Sequence, residues 1–291
     1  MNPTRRILLA SSLAISLLAS THAIAADKIA VTASFSILGD LVRAVGGERV
    51  TVTTLVGPNE DAHVFEPKPA DAKTIVRTQL LVTNGLGFEP WATKLAKSAG
   101  YQGATVVATA GVKTRPSDPH AWQNPNNVGV YVRNIAAGLA KVDTSGAAIY
   151  QANADAYVKE LQTLDAWAKA QFADILVVKR KVITSHDAFG YFGAHYQITF
   201  IAPQGVNTEA EPSAKQVAQL IKQIQREKIK AIFVENMSNP KLLAQISKDA
   251  SATIGASLYA DALSGPDQPG ATYLQMMRHN VTQLAAGMRL N

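Results

Sequence analysis

The chain of 291 residues is 47% hydrophobic and 17% charged, and its 28 basic and 22 acidic side chains give a net charge of +6. This length allows two modest α/β lobes, whereas the scattered Lys and Arg residues, densest at 179–181, do not indicate nucleic-acid binding. The chain has no cysteine. This excludes disulfide bonds and thiolate metal ligands and predicts that no lipid is attached through cysteine.

The first residues have the pattern of a secretory signal peptide. Arg5 and Arg6 precede an apolar run at 7–19, and the small residues of the triplet 23–25 follow, in the order of a charged region, an apolar region and a cleavage site. The alternative is a membrane-anchoring helix, but the run is shorter than the roughly 20 residues that span a bilayer. We predict a signal peptide at 1–25 and an exported chain with no membrane anchor.

The next part of the chain alternates between strand-like and helical segments. The short β-branched or apolar runs lie at 29–32, 50–55, 80–83 and 105–108. The helical segments between them lie at 37–45, 70–77 and 90–99. This alternation predicts βα units around a mainly parallel sheet, which form an N-terminal α/β lobe at 26–144.

One long helix is predicted at 145–175, because apolar residues recur at helical spacing and neither Pro nor Gly follows Gly146. About 30 helical residues extend roughly 45 Å at ~1.5 Å each, enough to fix the spacing of two lobes. A second series follows, with strands at 181–184, 198–201 and 229–234 and helices at 212–227, 240–250 and 273–288. The predicted fold class is therefore two α/β lobes with mainly parallel sheets, joined by one long rigid helix, the C-terminal lobe being 176–291.

Three of the six histidines, His63, His120 and His186, share an unusual context. Each lies in a loop at the end of a predicted strand or at a lobe edge, within two residues of an Asp. A single histidine is more often structural, but neutral imidazole is a good ligand for zinc and other first-row cations. Three such loops and a carboxylate would make a His₃Asp shell. The carboxylate that we favour is Asp261, whose alternative role is a helix or turn cap.

Further residues have less decisive contexts. A metal-bound histidine usually donates its second ring N–H to a carboxylate or carbonyl. The candidates for this acceptor are Asp118, Asp187 and Glu66, although each could equally be a solvent-exposed surface residue. Three aromatic residues would shield the site from water, namely Trp122, Phe65 and Phe189. Ordinary packing in the core would explain each of them as well. Glu60 and Asp61 would attract a cation or lie in a solvated loop. We interpret His195 and His279 as structural or solvated.

Four segments together point to a family. They are 57–71 (GPNEDAHVFEPKPAD), 84–91 (NGLGFEPW), 118–122 (DPHAW) and 185–192 (SHDAFGYF). In this order they resemble the metal-binding solute-binding proteins of ABC importers, the cluster A-I zinc and manganese class. The resemblance covers nearly the whole mature chain. It implies a monomer with a cation clamped between two α/β lobes, which acts in the periplasm and delivers the cation to a membrane permease.

The resemblance also implies the ligands, with His63 and His120 from the first lobe and His186 and Asp261 from the second. Manganese-selective relatives tend to have a carboxylate at the third position, so His186 favours zinc. Two features of many zinc importers are missing, because 64–119 contains no histidine and the second lobe has no cysteine pair. We predict zinc, with manganese as the alternative.

Two functions from other classes remain as alternatives. A zinc hydrolase would keep an open position for water beside three protein ligands, whereas four ligands are predicted here and no general base is evident. We therefore predict that the chain is not an enzyme. An adhesin that holds metal only for stability is the second alternative.

Overall fold

The computed structural model describes residues 27–291, so the predicted signal peptide lies outside the described residues. The first sheet has four parallel strands in the order β2-β1-β3-β4. They are β1 (Ile29–Phe35), β2 (Val50–Val56), β3 (Leu80–Thr83) and β4 (Ala104–Val107). Helices α1 (Ser36–Gly46), α2 (Pro69–Val76) and α3 (Pro90–Ser98) alternate with these strands. All seven elements were predicted, with ends within three residues of those observed.

One helix of this lobe was not predicted. Helix α4 covers Pro125–Val142, and the side chain of Asn124 accepts a hydrogen bond from the backbone N–H of Asn126 at its N-terminus. Asn at the N-cap followed by Pro at the first helical position is a favourable helix start. The local sequence therefore contains the signal for this helix.

The predicted long helix is α5 (Ala147–Phe172), which has 26 residues and a length of about 39 Å at ~1.5 Å per residue. It packs against α1 and α4 of the first lobe and against the C-terminal helix α9 (Tyr273–Arg289). Because α9 also contacts α1 and the second sheet, the two helices connect both halves of the molecule.

The second sheet is smaller than predicted. Its elements in chain order are β5 (Lys181–Ile183), α6 (Gly190–Tyr196), β6 (Thr199–Ile201), α7 (Ala214–Glu227) and α8 (Lys241–Asp249). Strands β5 and β6 are parallel, but the strand predicted at 229–234 is wrong as a continuous element. That segment forms one bridge with β5, in which the carbonyl of Ala231 accepts from the N–H of Ile183 (2.8 Å) and the N–H of Phe233 donates to the carbonyl of Ile183 (2.9 Å). On the opposite side the N–H of Ile232 turns back to the carbonyl of Lys230 (3.0 Å), so the segment is not regularly extended.

The main hydrophobic core is continuous from the first lobe through α5 to α9 and the inner side of the second lobe. A smaller core, built around Ile183, Leu220 and Ile232, lies between the second sheet and helices α7 and α8. Within 27–291, none of the helices combines the length and apolar character needed to cross a membrane. The described fold therefore has two α/β halves, and the apolar core that they share holds them together.

We expect the packing of α5 to be a major contribution to stability. Leu164 is fully buried on this helix, whereas Ile149 is 46% exposed. Leu164→Ala should lower the free energy of unfolding by about 2–5 kcal/mol, since the cavity cannot collapse fully. Ile149→Ala should change it by less than about 0.5 kcal/mol. Urea unfolding followed by circular dichroism measures both, and equal effects would contradict the packing described for α5.

Candidate metal centre

The four predicted ligands meet between the two halves of the molecule. His63 lies between β2 and α2, His120 between β4 and α4, His186 between β5 and α6, and Asp261 between α8 and α9. Parallel strands present their carboxyl ends at one edge of a sheet, which is where such folds bind ligands. One potential ligand atom from each of the four residues lies within 4.8 Å of the other three.

The distances between these atoms are short. Nε2 of His63 lies 3.2 Å from Nε2 of His120. One carboxylate oxygen of Asp261 lies 3.2 Å from Nε2 of His63 and 3.1 Å from Nε2 of His186, and the other lies 3.6 Å from Nε2 of His120. The side chain of His63 is 5% exposed and the other three are fully buried.

Several atoms that face the centre lack hydrogen-bond partners. Nε2 of His186 and both carboxylate oxygens of Asp261 are buried and make no hydrogen bond to the residues that the structure describes. Buried polar groups are nearly always satisfied, because an unsatisfied one costs about 1–3 kcal/mol. These two oxygens and this nitrogen converge on one point. A cation bound at that point would satisfy all three atoms.

Two of the histidines are oriented by carboxylates behind them. Asp118 accepts hydrogen bonds from Nδ1 of His120 (2.9 Å) and from its backbone N–H (3.0 Å). Glu235 accepts hydrogen bonds from Nδ1 of His186 and from the backbone N–H groups of His186 (3.1 Å) and Ser185 (3.0 Å). An ionised carboxylate can only accept, so the proton is on Nδ1 and the lone pair of Nε2 is available to a metal.

The prediction that Asp118 supports a histidine is therefore confirmed, whereas those for Asp187 and Glu66 are wrong because both are exposed. Glu235 has the role assigned to Asp187, and sequence reasoning missed it. A signal was available, because Glu235 directly follows the apolar run 229–234, which lies beside β5. The ends of neighbouring parallel strands lie at the same edge, so Glu235 and His186 were candidates for contact.

The aromatic wall also differs in part from the prediction. The ring of Trp122 contacts that of His120 at a centroid distance of 5.3 Å, as predicted. Phe88, which was not predicted, packs edge-on against His63 at 4.7 Å. The other two predicted residues pack elsewhere, since Phe65 lies against Trp91 (4.7 Å) and Phe189 stacks on Phe200 (4.9 Å).

The segment of Asp261 belongs to the second lobe but is also hydrogen-bonded to the first lobe. The carbonyl of Ala260 accepts hydrogen bonds from Nε1 of Trp122 (2.9 Å) and Nε2 of Gln123 (2.8 Å). The N–H of Leu263 donates to the hydroxyl of Ser36 (3.0 Å). These bonds place Asp261 beside His120.

The remaining two histidines have structural contacts, as predicted. Nε2 of His195 lies 2.6 Å from a carboxylate oxygen of Asp165 on α5. Nε2 of His279 lies 2.8 Å from the carbonyl oxygen of Ser257. Both histidines are therefore outside the group that meets at the centre.

Charge at the centre controls its protonation. Burial lowers the pKa of His186, but the negative charges of Glu235 and Asp261 outweigh burial and raise this pKa well above its ordinary value. Burial raises the pKa of Asp261, but His186 and His120 outweigh it and lower that pKa well below its ordinary value. In the metal-free centre a proton on His186 therefore compensates the carboxylate of Asp261, and a cation that takes up the lone pair of Nε2 would replace this proton.

The comparison with known proteins agrees with this geometry. Residues 31–287 match the family described as zinc-uptake complex component A, periplasmic. The chain belongs to this family. The predicted resemblance to metal-binding solute-binding proteins of ABC importers is confirmed, and so is the predicted fold class. The family consists of extracytoplasmic binding proteins rather than enzymes, so the hydrolase alternative is not supported.

Individual relatives are similar over most of their length. The manganese-binding lipoprotein MntA of Halalkalibacterium halodurans is 32% identical over 267 residues, covering 90% of this chain and 89% of the relative. The iron ABC transporter substrate-binding lipoprotein MtsA of Streptococcus pyogenes serotype M1 is 30% identical over 277 residues, covering 90% and 89%. The periplasmic zinc binding protein TroA of Treponema pallidum has a TM-score of 0.86 and 26% identity, covering 90% of this chain and 99% of that one.

These relatives are named for three different metals, and two of them are named as lipoproteins. The present sequence contains no cysteine. The absence of a membrane anchor therefore stays a prediction.

Glu235→Gln should lower the pKa of His186 in the metal-free protein. The substitution keeps the shape of the side chain but removes the negative charge that favours the imidazolium. A titration of the imidazole signals by NMR measures this pKa. Glu66→Gln is the matched control, because Glu66 is exposed and forms neither a hydrogen bond nor an ion pair with His186 among the described residues. An unchanged pKa in Glu235→Gln would mean that Glu235 does not act on His186 electrostatically.

Proposed function

We propose that this chain captures a zinc ion in the periplasm and delivers it to the membrane permease of an ABC importer. The proposed ligands are His63 and His120 from the N-terminal lobe, which we place at 26–144, and His186 and Asp261 from the C-terminal lobe at 176–291. The residues 145–175 would then form the rigid connection between the lobes.

The spacing of the four ligand atoms is the observation that carries this proposal. Zinc bonds of about 2.0–2.1 Å in a tetrahedral site place neighbouring ligand atoms about 3.3–3.4 Å apart. Oδ2 of Asp261 lies 3.2 and 3.1 Å from Nε2 of His63 and His186, Oδ1 lies 3.6 Å from Nε2 of His120, and the His63–His120 distance is 3.2 Å. One ligand atom from each of the four residues lies within 4.8 Å of the other three. A tetrahedral ion would therefore require only small movements of these side chains.

The choice of metal is argued from the ligand types. Three imidazoles and one carboxylate favour zinc and its neighbours over manganese, which prefers oxygen ligands. Manganese remains the second candidate, because relatives are named for it and because both oxygens of Asp261 are unpartnered. A carboxylate that binds through both oxygens would supply the fifth donor that a larger ion accepts.

The location of the site suggests how the ion is released. All four ligands are nearly or fully buried, and they come from segments of both lobes. A closed site of this kind holds its ion until ligands move apart. We infer that contact with the permease separates the lobes and so withdraws some of the ligands.

Zinc titration of the metal-free protein tests the ligand set. We expect one equivalent to bind, with manganese binding more weakly, and His120→Ala to bind at least about a hundredfold more weakly because one of four bonds is lost. His279→Ala is the matched control, since its ring contacts only the Ser257 carbonyl and the Tyr259 ring. Stronger binding of manganese would overturn the choice of zinc, and binding unaffected by His120→Ala would overturn the site.

Growth with a metal chelator tests the transport role separately. A strain lacking the gene should grow poorly under zinc limitation and recover with added zinc. Recovery should follow from a plasmid that carries the normal gene but not the His120→Ala variant. Normal zinc uptake without the gene would favour a protein that holds metal only for stability.

Zinc binding should release protons near neutral pH. The raised pKa of His186 means that the metal-free centre holds a proton that the ion must displace. Affinity is therefore greatest above this pKa and falls as the pH decreases below it, by roughly tenfold per pH unit for each displaced proton. Calorimetry in buffers of different ionisation enthalpy counts the protons. Affinity that does not change with pH would contradict a shell of three histidines.

A further inference from the structure

We propose that Asp61 and Thr208 form a hydrogen-bonded bridge between the two lobes, beside the opening of the metal centre, which positions His63 and slows release of the ion. Asp61 is a positioning residue in this proposal and does not itself bind the metal. The inference rests on the proposed function for its effect on metal release, but the bridge is also testable in the metal-free protein.

The opening lies beside His63. This is the one proposed ligand with an exposed fraction above zero, and it borders a cavity of about 300 Å³. The other residues that line this cavity are Leu86, Gly87, Ser117, Pro119, Val206 and Asn207. They come from both lobes, so an ion that passes His63 moves between the two halves of the molecule. Asp61 and Thr208 line a neighbouring cavity of about 280 Å³, and Thr208 directly follows Asn207 in the chain.

His63 is also the ligand that is least firmly oriented. Asp118 and Glu235 accept hydrogen bonds from Nδ1 of His120 and His186. Among the contacts of residues 27–291, Nδ1 of His63 has no such carboxylate. Ring orientation at His63 therefore depends on its backbone and on the packing of Phe88.

Asp61 connects that backbone to the opposite lobe. One carboxylate oxygen accepts the N–H of His63 (2.8 Å), and the other accepts the hydroxyl of Thr208 (2.6 Å). The first bond alone is a common local turn, in which an Asp side chain accepts the N–H two residues later. The second bond joins residues 147 apart in the chain, so local turn formation does not account for it.

The same loop is fixed at a second point. The N–H of Asn59 donates to the carbonyl of Leu263 (2.9 Å), and its side-chain oxygen accepts a hydrogen bond from Asn236 (2.8 Å). Leu263 lies two residues after Asp261. The base of the loop is thus tied to the segment of Asp261. Nε1 of Trp91 also donates to the carbonyl of Ala62 (2.8 Å), but both of these residues belong to the first lobe, so the Asp61–Thr208 bond is what joins the outer part of the loop to the opposite lobe.

Thr208→Val tests the bridge, because it keeps the shape of the side chain and removes the hydroxyl. Zinc-loaded protein is mixed with excess chelator in a stopped-flow instrument, and the rate of zinc dissociation is measured. We expect the rate to rise about ten- to a hundredfold, the effect of losing one hydrogen bond to a charged acceptor. Thr208→Ser should restore the normal rate, since it restores the hydroxyl.

Thr282→Val is the matched control, because its hydroxyl bonds only the carbonyl of Arg278 on α9. Its dissociation rate should equal that of the unchanged protein. An unchanged rate in Thr208→Val, or a raised rate that Thr208→Ser does not restore, would overturn the bridge.

Hydrogen exchange in the metal-free protein separates this inference from the proposed function. The amide of His63 should exchange several-fold faster in Thr208→Val than in the unchanged protein, because opening of the loop exposes it. Thr208→Ser should restore the slow exchange. If the protein binds no zinc but the exchange changes as expected, the proposed function fails and the bridge stands. Unchanged exchange would overturn the bridge whatever metal is bound.

Discussion

The centre of this protein depends on one electrostatic constraint, which is that the fully buried carboxylate of Asp261 requires positive charge beside it. Burial of an uncompensated carboxylate is very costly. Two further carboxylates, Asp118 and Glu235, lie behind the histidines and add negative charge near the centre. Arg115 lies 3.4 Å from Asp118 and compensates that carboxylate in part, whereas Asp261 and Glu235 have the histidines beside them. The pocket therefore favours the uptake of protons or a cation. The fold satisfies this constraint with a site that is ready to exchange protons for a divalent ion.

The arrangement of the helices and sheets brings these charges together. Parallel strands place their following loops at one edge of each sheet, and the apolar core shared by α5 and α9 keeps the two edges facing each other. Asp261 illustrates the result, because its neighbours are hydrogen-bonded to Trp122, Gln123 and Ser36 of the other lobe. The binding site is therefore a property of the joined lobes rather than of either one.

The three histidines differ in how firmly they are held. His120 and His186 are fully buried and have carboxylates on Nδ1, which fixes both their tautomer and their direction. His63 is packed against Phe88 and held through its backbone by Asp61. A site with two fixed ligands and one adjustable ligand provides affinity together with a route for the ion. In the proposed zinc site, this difference would give a physical reason for binding that is tight and still reversible.

The sequence by itself determined the two α/β lobes, the long helix and the four residues that meet at the centre, because these follow from local periodicity and from segments resembling a known family. The start of helix α4 is also encoded locally, by Asn124 and Pro125, whereas the interruption at Ile232 is not. The choice of Glu235 over Asp187 was decided only by the tertiary structure. Glu235 lies 49 residues from His186 in the chain, and the bond between Asp61 and Thr208 spans 147. Such contacts depend on how separate elements pack, because adjacency in the chain does not fix the direction of a side chain.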